Sequence, residues 1–206
     1  MKVSILNYTP GDLTFAVEVA RISSTRENKT ASSNRLLKFL IKNGHWSPFE
    51  HSYMTLEIKT SRAVGAQLSR HRSFTFQELS QRYVEITDIV EAPFQHIDLR
   101  LQHPTNRQAS YGQCEDTALR GRIDTHLSNS LALYRDLLQA GVAKECARMV
   151  LPISATTHII MTGNIRSWYH FIKARSYEGA QKEIRDIAFE ADKCLKKCFP
   201  LMTNVT

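Results

Sequence analysis

The chain has 206 residues, 42% hydrophobic and 23% charged, with 27 Lys and Arg against 20 Asp and Glu for a net charge of +7. That length and mix predict one globular domain with a real core, and no apolar run approaches the roughly 20 residues of a membrane span. Residues 1–6 lack the pattern of a signal peptide, so the expected compartment is the cytoplasm.

Val3, Ile5 and Leu6 predict a short strand, at a sheet edge or in its centre. Thr9-Pro10-Gly11-Asp12 predicts a turn running into an N-cap, with a helix over 13–21 behind it. Residues 23–33 are polar and predict a loop. A second helix follows over 34–42, with Leu36, Leu37, Leu40 and Ile41 as its apolar stripe and Gly44 as its stop. His45, Glu50 and His51 then fall within seven residues, but Pro48 breaks any helical register between them. No further ligand cluster accompanies them, so no metal site is expected. Residues 52–60 alternate apolar and polar side chains and predict a strand that leads into a helix over 62–69.

The run 67–83 carries three kinds of chemistry at once. Gln67, Arg70, His71, Arg72, Glu78, Ser80, Gln81 and Arg82 are interleaved with Leu68, Phe74, Phe76, Leu79 and Tyr83. Buried charges without partners are too expensive for this to be core. So much aromatic surface does not belong on an ordinary solvated face. The combination suggests a pocket for something flat and anionic, gripped by guanidiniums that donate in pairs. A helix ending near Arg72 would put Gln67 and Arg70 on one face and leave Arg72 in the loop beyond. The competing reading is a set of cations complementing a helix C-terminus.

Beyond this run, 84–90 predicts a strand and 92–108 a loop containing Pro93 and Pro104. A long helix is expected over 116–140, with Leu119, Ile123, Leu127, Leu131, Tyr134 and Leu138 at turn-like spacings. A shorter helix over 142–149 stops before Pro152, and 153–163 predicts a strand. Asn164 is a good N-cap for the next helix. On that helix Ile165, Trp168 and Ile172 form one stripe with Arg175 at its end, while Arg166 and His170 share a second face. An amphipathic helix over 177–199 closes the chain. Cys114, Cys146, Cys194 and Cys198 show neither metal-knuckle nor redox spacing, and reduced thiols are expected.

Arg70-His71-Arg72, seven residues and then Ser80, with Glu78 and Arg82 on either side, closely resembles the signature of flavin-dependent thymidylate synthases. Thr75 stands where that family usually has Ser, and Gln77 where it has Asn; both keep the hydrogen-bonding class. The resemblance covers nearly the whole chain, strongest at 44–51, 67–83 and 148–175 and weakest at 84–115. It implies a mixed α/β fold, a central sheet flanked by long helices, assembled as a homotetramer with shared active sites. The implied reaction is reductive methylation of dUMP to dTMP. Its carbon comes from 5,10-methylenetetrahydrofolate and its electrons from NADPH through FAD.

The resemblance also implies residue roles. Gln67, Arg70, Glu78, Ser80, Gln81, Arg82, Arg148 and Arg175 would bind dUMP. His45, Ser47, Arg70, His71, Arg72, Glu78, Asn164, Arg166 and His170 would bind FAD, position 170 being one where the family carries His or Asn. Arg148, by itself a surface cation, is promoted because an arginine before such a Val-Leu-Pro contacts the nucleotide. Arg175 would be the catalytic residue, facing the uracil and stabilising its N3 anion. Ser80 lacks an adjacent base that is free of ligand duties, so it is expected to hydrogen-bond dUMP rather than attack it. There is no G-x-G-x-x-G opening a helix, and a Rossmann-type dinucleotide site is not expected. Two rivals remain: a nucleic-acid-binding module, and a flavoprotein of this fold that no longer takes dUMP. Neither explains why all the nucleotide-facing residues occur together, and neither nucleic acid nor membrane is an expected partner.

Overall fold

The computed structural model describes residues 1–22, 32–89 and 92–204. Four strands form its main sheet, β1 (Lys2–Tyr8), β2 (Tyr53–Ser61), β3 (Thr75–Glu78) and, late in the chain, β6 (Thr156–Asn164), in the order β1-β2-β6-β3. Every neighbouring pair is antiparallel. β2 and β6 are the centre, and their register pairs inward residue with inward residue: Met54 with Gly163, Leu56 with Met161, Ile58 with Ile159, Thr60 with Thr157. The other face is polar, with a hydrogen bond between the Thr55 and Thr162 hydroxyls at 3.0 Å. Such alternation is what a sheet covered on one side requires.

The covering helices are α1 (Thr14–Ile22), α2 (Ser33–Lys42), α7 (Ile165–Arg175) and α8 (Lys182–Cys198). Trp168 and Phe171 of α7 and Ile184, Ile187, Ala191 and Leu195 of α8 are buried in one core with the inner face of the sheet. The Trp168 indole N–H donates to the Met54 carbonyl at 2.8 Å, which fixes α7 on β2. α3 (Arg62–Leu68) leaves β2 without an intervening loop, and its Ser61 cap accepts from the Val64 N–H. A second, smaller core gathers Ile86, Tyr134, Ala147 and Ala155. There α5 (Thr117–Gln139) and α6 (Lys144–Ala147) pack together. The mixed α/β class and the flanking helices agree with expectation.

Several local expectations do not hold. β1 takes the edge, one of the two positions expected for it, but its register slips between Ile5 and Asn7 and leaves Leu6 exposed. Asp12 gives its carboxylate to the Leu201 N–H at 3.0 Å rather than to the start of α1. The expected loop over 23–33 lies mostly outside the described residues. Of the strand expected over 84–90, residue 90 lies outside the described residues, and 84–89 do not extend into a strand. The N–H groups of Tyr83 and Val84 both donate to the Ser80 carbonyl and curl the chain into a turn, and one helical turn, α4 (Ile86–Ile89), follows. Residues 92–108 are mainly irregular but contain β4 (Leu101–Gln102), which pairs with β5 (Ser110–Tyr111). Arg100 ties this hairpin to α8: it donates to Asp98 at 2.8 Å and to both Glu183 oxygens at 2.7 and 2.9 Å. The apolar stripe of α5 is real, but only its C-terminal half is covered, and Leu119 is exposed. The last helix begins at Lys182, after a turn over 177–181.

Phe74 links the fold to the chemistry-bearing loop. It is buried 4.7 Å from the Trp168 ring, edge to face. A Cβ added at Gly163 would sit 2.4 Å from the Phe74 ring, so β6 carries glycine where the loop leans on it. Gly163→Ala is expected to destabilise the protein by about 1–3 kcal/mol through overpacking. Urea unfolding measures this, and an unchanged midpoint would show that the loop does not depend on that contact.

Candidate active site

The loop 69–74 runs from the end of α3 to β3, along α7 from Arg175 near its C-terminus to Ser167 near its start. α3 stops at Leu68, capped at Ser69, so Gln67 and Arg70 do not share a helical face as expected. Instead the chain turns: the His71 N–H donates to the Leu68 carbonyl at 3.0 Å, and the Phe74 N–H to the His71 carbonyl at 3.1 Å. α7 pins this turn from below, with the Ser167 hydroxyl donating to the Ser73 carbonyl at 3.3 Å. The His71 ring stands edge-on to Phe171, centroids 4.9 Å apart. Its Nε2 accepts from the Arg175 Nε–H at 3.0 Å. Burial, and secondly the Arg175 charge, push the His71 imidazole below the usual histidine range, so it is neutral at neutral pH. Among the described residues, Arg70, Arg72 and Arg175 have no carboxylate partner. The Gln67 amide bonds to the Gln181 side chain.

A second group forms where β3 leads into the turn at 80–83. Arg62, Gln81 and Arg148 line a cavity of about 300 Å³ with Met149 and Pro152. Gln81 is only 3% exposed, and its amide nitrogen has no hydrogen-bond partner among the described residues. A buried orphan donor of this kind costs about 1–3 kcal/mol, so its position calls for an acceptor. Glu78 accepts from the Thr157 hydroxyl at 2.7 Å and lies 3.5 Å from Arg62. Arg82 faces Glu145 at 3.3 Å, and the Ser80 hydroxyl accepts from the Arg82 N–H at 3.4 Å.

A third group surrounds the start of α7. Asn164 caps the helix, its side-chain oxygen accepting from the Ser167 N–H at 2.8 Å, which leaves the amide NH2 available. Arg166 pairs with Glu50. The Trp46 ring lies 4.5 Å from the His170 ring, and His45 stacks on Phe39 at 6.0 Å. Desolvation, then Arg166 and Lys173, push His170 below the usual range. Ser47 begins a 3-10 turn over Ser47–His51 with Pro48 and Phe49 buried beneath it.

The structure thus brings His71 to Arg175, Gln81 to Arg148, Arg166 to Glu50, and Trp46 to His170. Among the described residues, no hydrogen bond or ion pair joins the Arg148 group to the Arg175 group. Sequence reasoning missed Arg62, Thr157, Glu145 and Phe171. Arg62 carried a signal: it opens α3 directly after the Ser61 cap, where the helix macrodipole disfavours a cation. The other three look like ordinary helix and strand residues. The α8 thiols are not activated, since burial pushes Cys194 up and Cys198 to about 11. Among the described residues, no cluster of His, Cys, Asp or Glu has metal-binding geometry, and no helix is long and apolar enough to cross a membrane.

Residues 4–201 match the family model described as thymidylate synthase complementing protein. A probable flavin-dependent thymidylate synthase of Paramecium bursaria Chlorella virus 1 is 42% identical over 191 residues, covering 91% of this chain and 86% of that one. The flavin-dependent thymidylate synthase of Synechocystis is 40% identical, covering 88% and 83%. The chain belongs to the flavin-dependent thymidylate synthase family. Among solved structures, a UMP/dUMP methylase from Streptomyces cacaoi, crystallised with 5-Br dUMP, superposes with a TM-score of 0.84. It is 29% identical, and the match covers 99% of this chain and 93% of that one.

Within this family fold, the Asn164 cap and any ligand role of its free NH2 are separable. Asn164→Ala should lower stability by about 1 kcal/mol, whereas Asn164→Ser should retain most of the cap. Thermal melts that fail to distinguish the two variants would mean that the cap contributes nothing.

Proposed function

We propose that the chain catalyses the methylation of dUMP to dTMP as a flavin-dependent thymidylate synthase. It would use FAD, with 5,10-methylenetetrahydrofolate as carbon donor and NADPH as reductant. The observation that carries this reading is the set of basic groups left without acid partners: Arg70, Arg72 and Arg175 around neutral His71, and the orphan Gln81 amide beside Arg62 and Arg148. Arg70 and Arg72 are exposed and solvated, free to be taken up by an acceptor-rich ligand, and the buried Gln81 donor calls for an acceptor of its own.

The donors fit both ligands. A flavin ring system presents mainly carbonyl and ring-nitrogen acceptors, and the side chains facing loop 69–74 are mainly donors. Arg70, His71 and Arg72 would hold FAD together with Glu78, His45 and Ser47 of the Trp46 segment, and Asn164, Arg166 and His170 of α7. When bound, FAD supplies the redox chemistry, and the chain needs only to bind, orient and polarise. Arg148, Arg82, Ser80 and Gln81 would take the phosphate and sugar of dUMP, with Gln67, Arg70 and Glu78 completing the grip. The Arg82–Glu145 pair is exposed and weak, so a phosphate dianion would displace the carboxylate readily. Arg175 would face the uracil. A cation within about 4–6 Å lowers an acid's pKa by about 1–3, which favours the N3 anion and makes C5 more electron-rich where the carbon attaches.

The active unit would be a homotetramer with sites shared between subunits. Met149 and Ile153 support this reading: they are large, apolar and exposed, and they line the Arg148 cavity. A second copy would cover them and bring its own Arg175 group to that cavity.

The test is a visible absorption spectrum of the protein with FAD, recorded before and after adding dUMP. A bound-flavin spectrum that shifts with dUMP is the expected result. A flavin spectrum indifferent to dUMP would leave a flavoprotein without this substrate, and no flavin retention would favour a polynucleotide-binding module. Arg175→Ala should keep FAD but abolish dTMP formation, and undiminished turnover would remove the role given to Arg175.

A further inference from the structure

We infer that His71 is a positioning residue for Arg175: its imidazole receives the Arg175 Nε–H and leaves both Nη groups free to face the pyrimidine. The inference deepens the function proposed above and rests on it. The contact is 3.0 Å long and partly buried, and neither Nη has a partner among the described residues. An arginine at the end of an apolar stripe normally swings its head into water. Here one edge of the guanidinium is tied down and the forked edge, the one suited to two parallel hydrogen bonds, remains open.

The imidazole can do this because it is itself fixed. Backbone hydrogen bonds to Leu68 and Phe74 hold the turn that carries it, and Phe171 and Phe74 stand edge-on to its ring. Since Nε2 accepts, the ring proton must be on Nδ1. Phe171 and Arg175 face the ring from α7 and Phe74 from its own loop; Arg175 is the charged group acting on it. Burial and that charge already depress the His71 pKa. Protonation would remove the acceptor and set two cations in contact, releasing Arg175. The ordered arginine therefore exists above the His71 pKa and is lost as pH falls through it. His71 and Arg175 belong to different elements, so this one hydrogen bond also ties the flavin-facing loop to the uracil-facing helix.

Two measurements test this. The first is a nitrogen-15 NMR titration of the histidine rings in the ligand-free protein, which needs no turnover. The expected result is an Nδ1–H tautomer for His71, with a midpoint below the ordinary histidine range that rises in Arg175→Gln. A tautomer and midpoint indifferent to Arg175→Gln would overturn the contact. The second is dTMP formation by the FAD-loaded protein across pH. His71→Ala should lower kcat by about 10- to 100-fold, the scale expected when a reacting group is misplaced by about 1 Å. His71→Gln, whose side-chain oxygen can accept from Nε–H but does not titrate, should recover much of that loss and abolish the acid limb of the profile. Equal losses in the two variants, or an unchanged acid limb in His71→Gln, would overturn the positioning role. Absent turnover in the unaltered protein would instead overturn the proposed function and the catalytic meaning of the contact, while the titration still decides the contact itself.

Discussion

The pairing of β2 with β6 is the constraint on which the rest depends. The ladder joins nine residue pairs, from Tyr53 with Asn164 at one end to Ser61 with Thr156 at the other. At about 3.4 Å per residue it is about 27 Å long. α3 starts from the Ser61 end and α7 from the Asn164 end, each folding back over the same buried face. Seven and eleven helical residues span about 10 and 16 Å at 1.5 Å each, so together they nearly match the ladder. The two C-termini are thus delivered to one place, and that place is where His71 meets Arg175.

Meeting of two helix C-termini has an electrostatic consequence. Both ends carry partial negative charge, worth about 0.3–1 kcal/mol to a nearby cation. Arg175 lies in the last turn of α7, while Arg70 and Arg72 follow the end of α3. The dipoles therefore help the fold tolerate guanidiniums that no carboxylate neutralises, without occupying the donors as a carboxylate would. Helix-end complementation of Arg70-His71-Arg72 thus does not compete with the proposed ligand binding, because it leaves the guanidinium donors open. The ion pairs elsewhere in the site, Arg82 with Glu145 and Arg166 with Glu50, are exposed and individually weak, so a ligand can replace them.

Much of this was legible in the sequence, and for identifiable reasons. The long elements carry strong periodicity: β2 alternates cleanly, α7 shows its cap and stripe, and α8 its amphipathic face. The chemistry of 67–83 was visible because so many polar groups of different kinds interrupt an apolar run. What failed was short or depended on distant partners. β3 has only four residues and exists because β6 offers it an edge. Residues 84–90 have strand-like composition, but the Ser80 carbonyl captures two successive N–H groups and bends the chain away. Phe74 and Phe76 looked like pocket walls. Phe74 is core, and its ring holds the loop down on Trp168. The hairpin of β4 and β5 relies on Arg100 reaching Glu183, a pairing across 83 positions that no local pattern announces.

The capping residues of α3 and α7 are themselves the terminal residues of their strands, with no connecting loop in either case. Strand length, helix phase and helix reach are therefore locked together. A single residue inserted at 61/62 or 164/165 would turn the following helix by about 100° and carry Arg175 or the His71 turn off the shared face. The connection through 103–109 lies at the exposed tip of the β4–β5 hairpin, and its side-chain and backbone bonds fall mostly within the loop itself. It has slack that the two junctions lack. Tags, reporter peptides or circularly permuted termini belong at that tip, and the two strand-to-helix junctions are where the chain admits no change of length.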